Sequence, residues 1–313
     1  MGKVKRLLTS LVLLLAATPA LAGTVNYNPP FGYWRMPVDK IGVESPNVDG
    51  LAFDPSVDKA SDVLAALDKA RAAHVKLFIQ LVQFADLKEN PPGNFQLSQW
   101  QARYDAWCPQ GQCIALKPYV DDGTLMGIHI FEYSKPPIPQ RLTPDLGQIA
   151  QVAAYVRSKW PGVPIIMDTS KPCLFLDPKR QMAGKLDILI YTFFTNELTD
   201  TRRGEGMVNN GVACAKQAGV KFMLDPNPFG GTQGGLAPGA LDRYVHFTEF
   251  SIRYPGSMAT AIWRWWPGDS PSKGNGFQHF ANFYSEQSNP GVTKAMSEIA
   301  ACAANPATAC PHG

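Results

Sequence analysis

Short apolar runs alternate with helix-patterned segments along most of the chain, and nearly every run ends in polar or aromatic residues. "FGYWRMP" comes first and "GLAFDPS" reads as a second strand. "ASDVLAALDKARAAHV" then carries apolar residues at helical spacing ahead of "VKLFIQLVQ". "LSQWQARYDAWC" precedes "LMGIHIFEY", and "TPDLGQIAQVAAYVRSKW" precedes "VPIIMDTS". "LDILIYTFF", the helical "EGMVNNGVACAKQAG" and "VKFMLDPN" follow. "GALDRYVHFTEFSIRY" leads into "MATAIWRWWPG", and "NPGVTKAMSEIAACAA" closes the series as a helix. Strands alternating with helices, with no break in composition, imply an α/β chain built on a parallel sheet in a single domain. Their continuous apolar character fits a sheet covered on both faces.

Two architectures satisfy this pattern: a (β/α)8 TIM-like barrel and an open doubly wound sheet. The second normally announces itself by a glycine-rich phosphate turn after the first strand. None follows "FGYWRMP", and "GGTQGG" (Gly230 to Gly235) lacks the lysine of a P-loop. The barrel is therefore the expected fold. Seven strands stand out, and the eighth rests on reading "GLAFDPS" as strand two.

In a (β/α)8 barrel, function sits at the carboxyl ends of the strands. The alternation of "GIHIFEY" places Ile128, Ile130 and Glu132 on one face, with His129, Phe131 and Tyr133 on the other. With the two isoleucines filling the interior, Glu132 reaches the mouth and His129 packs between strand and helix. The other runs end on Gln80 and Gln83, on Asp168, on Tyr191, on Asp225 and Asn227, and on Trp263, Arg264, Trp265 and Trp266. Carboxylates, amides and indoles thus converge on one rim. Each has a structural alternative: Glu132 in an ion pair, Asp225 and Asp168 as caps, the tryptophans as core.

The N-terminal stretch "MGKVKRLLTSLVLLLAATPALAG" has a basic start, an apolar middle and an A-x-A site, the pattern of a signal peptide over residues 1–22. The barrel then spans 23–313, with a disulfide-stapled C-terminal tail. The apolar stretch is too short for a bilayer span, so no membrane association is expected after cleavage. Loss of Lys3, Lys5 and Arg6 takes the formal charge from +3 to zero. A neutral protein lacks the electrostatic footprint of a nucleic-acid partner and points to neutral ligands. All six cysteines fall in the mature part, an even number suited to an oxidising compartment. Spacing suggests Cys108 with Cys113 and Cys302 with Cys310, leaving Cys173 with Cys214. No CxxC or HxxxH spacing supports a metal site, and no cofactor motif is present.

The rim suits sugar: amides and carboxylates bond hydroxyls directionally, and indole faces stack on the apolar faces of pyranose rings. Glycosidic hydrolysis needs two carboxyl groups, one to protonate the leaving oxygen and one as nucleophile or base. From roughly Phe31 to Ala303 the chain resembles (β/α)8-barrel glycoside hydrolases. The likeness lies in strand order, the "GIHIFEY" glutamate, the "KFMLDPN" aspartate and the Trp-rich last strand. In the largest clan of those enzymes an acid/base glutamate ends strand four, a nucleophilic glutamate ends strand seven, and a tryptophan of strand eight lines the sugar subsite. The resemblance implies these places for Glu132, Asp225 and Trp263 to Trp266. The sequence departs from the clan in two respects: Phe131 stands where an asparagine precedes the acid, and the strand-seven carboxylate is an aspartate.

The expectation is an exported glycosidase acting on a neutral carbohydrate. Glu132 is its general acid/base, and Asp225 its second carboxylate, with Asp168 as rival. Trp263, Trp265, Trp266, Arg264, Tyr191, Tyr133, Gln80, Gln83 and Asn227 form the sugar-contact set. A non-catalytic carbohydrate-binding barrel and a lyase or other hydrolase using the same carboxylates remain as alternatives. The absence of GxSxG and HExxH patterns removes support for serine and zinc hydrolases.

Overall fold

The computed structural model describes residues 30–34, 38–41, 47–82, 96–133, 146–177, 182, 184–195, 198–227, 239–262 and 291–311. Eight strands close into a barrel: β1 (Phe31–Trp34), β2 (Val48–Ala52), β3 (Lys76–Gln80), β4 (Leu125–Tyr133), β5 (Ile165–Thr169), β6 (Ile188–Phe194), β7 (Lys221–Asn227) and β8 (Thr260–Ile262). Every neighbouring pair is parallel, and β8 returns to pair with β1. Around them lie α1 (Ala60–Ala72), α2 (Leu97–Asp105), α3 (Lys117–Asp121), α4 (Leu146–Lys159), α5 (Pro172–Phe175), α6 (Thr201–Gln217), α7 (Ala240–Ile252) and α8 (Val292–Ala304). Among the described residues, no helix is long and apolar enough to cross a membrane.

Strand two is real, which puts Glu132 on the fourth strand and Asp225 on the seventh. Its bounds differ from "GLAFDPS": it starts at Val48 and ends at Ala52, after which the chain turns at Asp54. The Phe53 N–H still bonds the Gln80 carbonyl, so β2 frays into that turn.

The interior is filled by side chains. Trp34, Val48, Phe78, Met126, Ile166, Ile188, Ile190, Met223, Ala259 and Ala261 form one buried cluster along the axis. Gly50 is required there, since a Cβ would collide with the rings of Phe78 and Trp34. A second, larger layer packs the outward strand residues against the helices, and a third joins Phe31 and Ile262 to α7 and α8. Three disulfides join Cys108 to Cys113, Cys173 to Cys214 and Cys302 to Cys310, leaving no free cysteine among the described residues.

One carboxylate is trapped away from the mouth. Asp49 of β2 is fully buried; its Oδ1 accepts from the Tyr33 N–H at 3.3 Å, and Oδ2 has no hydrogen-bond partner among the described residues. Burial raises this carboxyl well above its ordinary value, against the smaller opposing effect of the Tyr33 amide. The folded state therefore holds a proton that the unfolded chain has already released. Asp49's share of stability is full below the unfolded value of about 3.9 and is lost as pH rises through the folded one. Asp49→Asn should abolish that loss, so the difference in Tm (variant minus parent) should become more positive from pH 4 to pH 8. A difference independent of pH would show that Asp49 does not titrate in this way.

Candidate active site

The strand that carries Glu132 does not alternate evenly. In the β4–β5 ladder Ile128 pairs with Ile165 and His129 with Ile166, but Phe131 pairs with Met167, leaving Ile130 as an extra residue. Such a bulge resets the parity of the strand beyond it. Ile128, Ile130 and Phe131 pack in the outer layer, with the Phe131 ring 6.0 Å from that of Trp100 in α2. His129 turns into the barrel, its ring 4.5 Å from that of Trp34 in an edge-on arrangement.

This corrects the sequence reading. Ile128 and Ile130 do not fill the interior, and His129 does not pack between strand and helix. Even alternation would have grouped Glu132 with the outward isoleucines; the bulge instead brings it into register with Asp168. Asp168 has interior parity: Ile166, two residues earlier, lies in the axial cluster, and Asp168 Oδ1 is 3.4 Å from His129 Nε2. The side chains of Glu132 and Tyr133 lie outside the described residues.

The same parity builds a polar layer on the apolar floor. On β3, Phe78 points inward and Gln80 follows two residues on. Gln80 is buried, and its Oε1 has no hydrogen-bond partner among the described residues. On β6, Ile188 and Ile190 point inward, so the next interior residue is Thr192. Its hydroxyl donates to Asp225 Oδ2 at 2.9 Å, and the two residues are ladder partners. Asn227 is buried two residues beyond Asp225. Gln80, His129, Asp168, Thr192 and Asp225 thus come from five consecutive strands, with Trp34 beside His129.

Tyr191 is not part of this layer, contrary to its expected role as a sugar contact. It faces outward, its ring against Gly211 of α6 and its hydroxyl donating to the Met207 carbonyl at 3.4 Å. Burial raises its phenol from 10.0 to about 12. The reason is parity: Ile188 and Ile190 face the axis, so Tyr191 falls with Leu189 and Phe193 on the outward face. Thr192 is the residue the sequence reading missed there, and counting in twos from Ile188 would have found it. His129 was missed because nothing in "IHIF" marks a bulge. Gln83, Trp263, Arg264, Trp265 and Trp266 lie outside the described residues.

Chemically, the layer offers two buried carboxylates on alternate strands, an imidazole, an amide acceptor and a hydroxyl, with a third carboxylate residue in register with Asp168. It can donate to and accept from hydroxyl groups, and its carboxylates suit proton transfer or nucleophilic attack.

No known-family model matches the sequence, and no curated protein matches it. The barrel does have solved counterparts. A hyperthermostable endocellulase superposes with a TM-score of 0.51 at 9% identity, covering 78% of this chain and 86% of that one. A glycoside hydrolase family 5 enzyme from Prevotella bryantii B14 gives 0.50 at 10% identity over 90% of this chain and 97% of that one. A glucosidase from Croceicoccus marinus gives 0.50 at 10% identity, where this chain spans 59% of the other's length. At these identities the likeness is one of fold: the chain is a closed eight-stranded parallel (β/α)8 barrel whose structural neighbours are glycoside hydrolases.

Proposed function

We propose that the protein is an exported glycoside hydrolase that cleaves glycosidic bonds of a neutral poly- or oligosaccharide with two carboxyl groups. The observation that carries this reading is the convergence of buried Asp168 and Asp225 on the barrel interior near the strand ends, with Glu132 in register with Asp168. Glu132 acts as general acid/base, protonating the leaving oxygen and later activating water; Asp225 or Asp168 supplies the second carboxylate. Gln80 and Asn227 bond sugar hydroxyls. Trp263, Trp265 and Trp266 offer stacking faces, with Arg264, Gln83 and Tyr133 as further polar contacts. Tyr191, facing α6, has no part.

The fold shared with an endocellulase, a glucosidase and a family 5 glycoside hydrolase supports the substrate class. Export, with removal of residues 1–22, is supported by the leader pattern and by three disulfides, bonds that persist in oxidising compartments.

The deciding experiment incubates the purified mature protein with a panel of polysaccharides and oligosaccharides and measures new reducing ends. Products that appear with the parent and vanish with Glu132→Gln are the expected result. Binding without products would favour a carbohydrate-binding barrel, and unsaturated products absorbing in the ultraviolet would favour a lyase; either would overturn hydrolysis.

A further inference from the structure

His129 and Asp168 stand out within an axial core that is otherwise almost wholly apolar. Both are buried, and the Nε2···Oδ1 distance is 3.4 Å. Burying an ionisable pair where apolar side chains would fit is commonly neutral or unfavourable for stability. The bulge at Ile130 adds to the cost by leaving one residue out of the ladder. Both expenditures of stability serve one outcome: an imidazole beside Asp168, three residues before Glu132 on the same strand. With Asp168 ionised, its oxygens could only accept, which would make the imidazole the donor. Asp225 accepts from the hydroxyl of Thr192.

We propose that His129 is a positioning residue. It donates from Nε2 to Asp168 Oδ1, keeps that carboxylate ionised and oriented, and thereby makes Asp168, rather than Asp225, the carboxylate that works with Glu132. This assignment rests on the glycosidase reading, deepening it by choosing between the two aspartates. A hydrogen bond to the charged form favours that form, and an imidazole fixed by ring contact with Trp34 limits the rotation of its partner.

Two measurements test it. The first needs no substrate: NMR of the full mature protein labelled with 15N-histidine. The chain has five histidines, and His129→Gln identifies the relevant imidazole by loss of its signal. The expected result is a protonated Nε2 whose resonance shifts in Asp168→Asn. A bare Nε2, or a resonance indifferent to Asp168→Asn, overturns the proposal. The second measurement is kinetic, on the glycan identified by the panel. His129→Leu should lower kcat about 10-fold or more with little change in KM, the scale on which an orienting partner affects the group it holds. His129→Gln, whose amide can still donate, should recover most of that loss. Equal impairment of Leu and Gln variants, matched for folding by thermal melts, would reduce His129 to packing and overturn the proposal. If His129→Leu does not fold, the NMR result with Gln and Asn variants still decides. Coupling without hydrolysis of any glycan sinks the glycosidase reading and Asp168's role with it. Hydrolysis without coupling sinks the positioning proposal alone.

Discussion

Replacing Cys173 and Cys214 together by serine should cost about 4 kcal/mol of stability, against about 2–2.5 kcal/mol for either of the other pairs, in the chain-entropy account of cross-links. The ordering follows from loop size. Cys173–Cys214 spans 41 residues in sequence, whereas Cys108–Cys113 spans 5 and Cys302–Cys310 spans 8. The native-state role points the same way. Cys173 lies in α5, which begins three residues after β5 ends, and the Lys171 N–H bonds Thr169 Oγ1 at 3.0 Å as the chain turns. The bridge pins this turn to α6, on the segment that carries Asp168. Differential scanning calorimetry should place the double variant on the order of 10 °C below the parent. A drop no larger than that of the Cys108/Cys113 double variant would show that loop closure does not set the ranking.

The order of the strands was legible because a parallel barrel buries both faces of each strand, so every strand appears as an unbroken apolar run. That same property hid which residue faces which way. In "GIHIFEY" the residues before Glu132 are nearly all acceptable on either face, so the sequence carries no sign of the bulge at Ile130. Beyond that bulge Glu132 pairs with Asp168, and His129 enters the barrel instead of leaving it. On β6 the run was read to its true end at Phe194, but not its parity: apolar residues on both faces left Tyr191 and Thr192 equally acceptable inside, and the inward Ile188 and Ile190 select Thr192. β7 is regular by comparison: Met223 is inside, and two residues later Asp225 meets Thr192 of β6. Asp49 shows the limit in reverse. A polar residue within a strand suggests an exposed face, yet Asp49 is fully buried.

Glu132→Gln should lower kcat on the natural glycan by at least about 100-fold, the typical contribution of a positioned proton donor. The size of the loss should depend on the leaving group. A natural sugar alcohol leaves poorly unless its oxygen is protonated as the bond breaks, whereas an activated phenol departs without that help. The same variant should therefore lose much less on an aryl glycoside bearing electron-withdrawing substituents. Its alkaline limb in kcat/KM should disappear, since that limb reports loss of the acid's proton, while the acid limb, belonging to the second carboxylate, should persist. The two aspartates complete the comparison. With Asp168 as the second carboxylate, Asp168→Asn should be severe on both substrates, because its role does not depend on protonating the leaving group. Asp225→Asn, losing a carboxylate bonded to Thr192, should be milder. Near-parental activity of Glu132→Gln on the natural glycan would leave Glu132 a structural carboxylate, and the acid would have to be sought elsewhere on the rim.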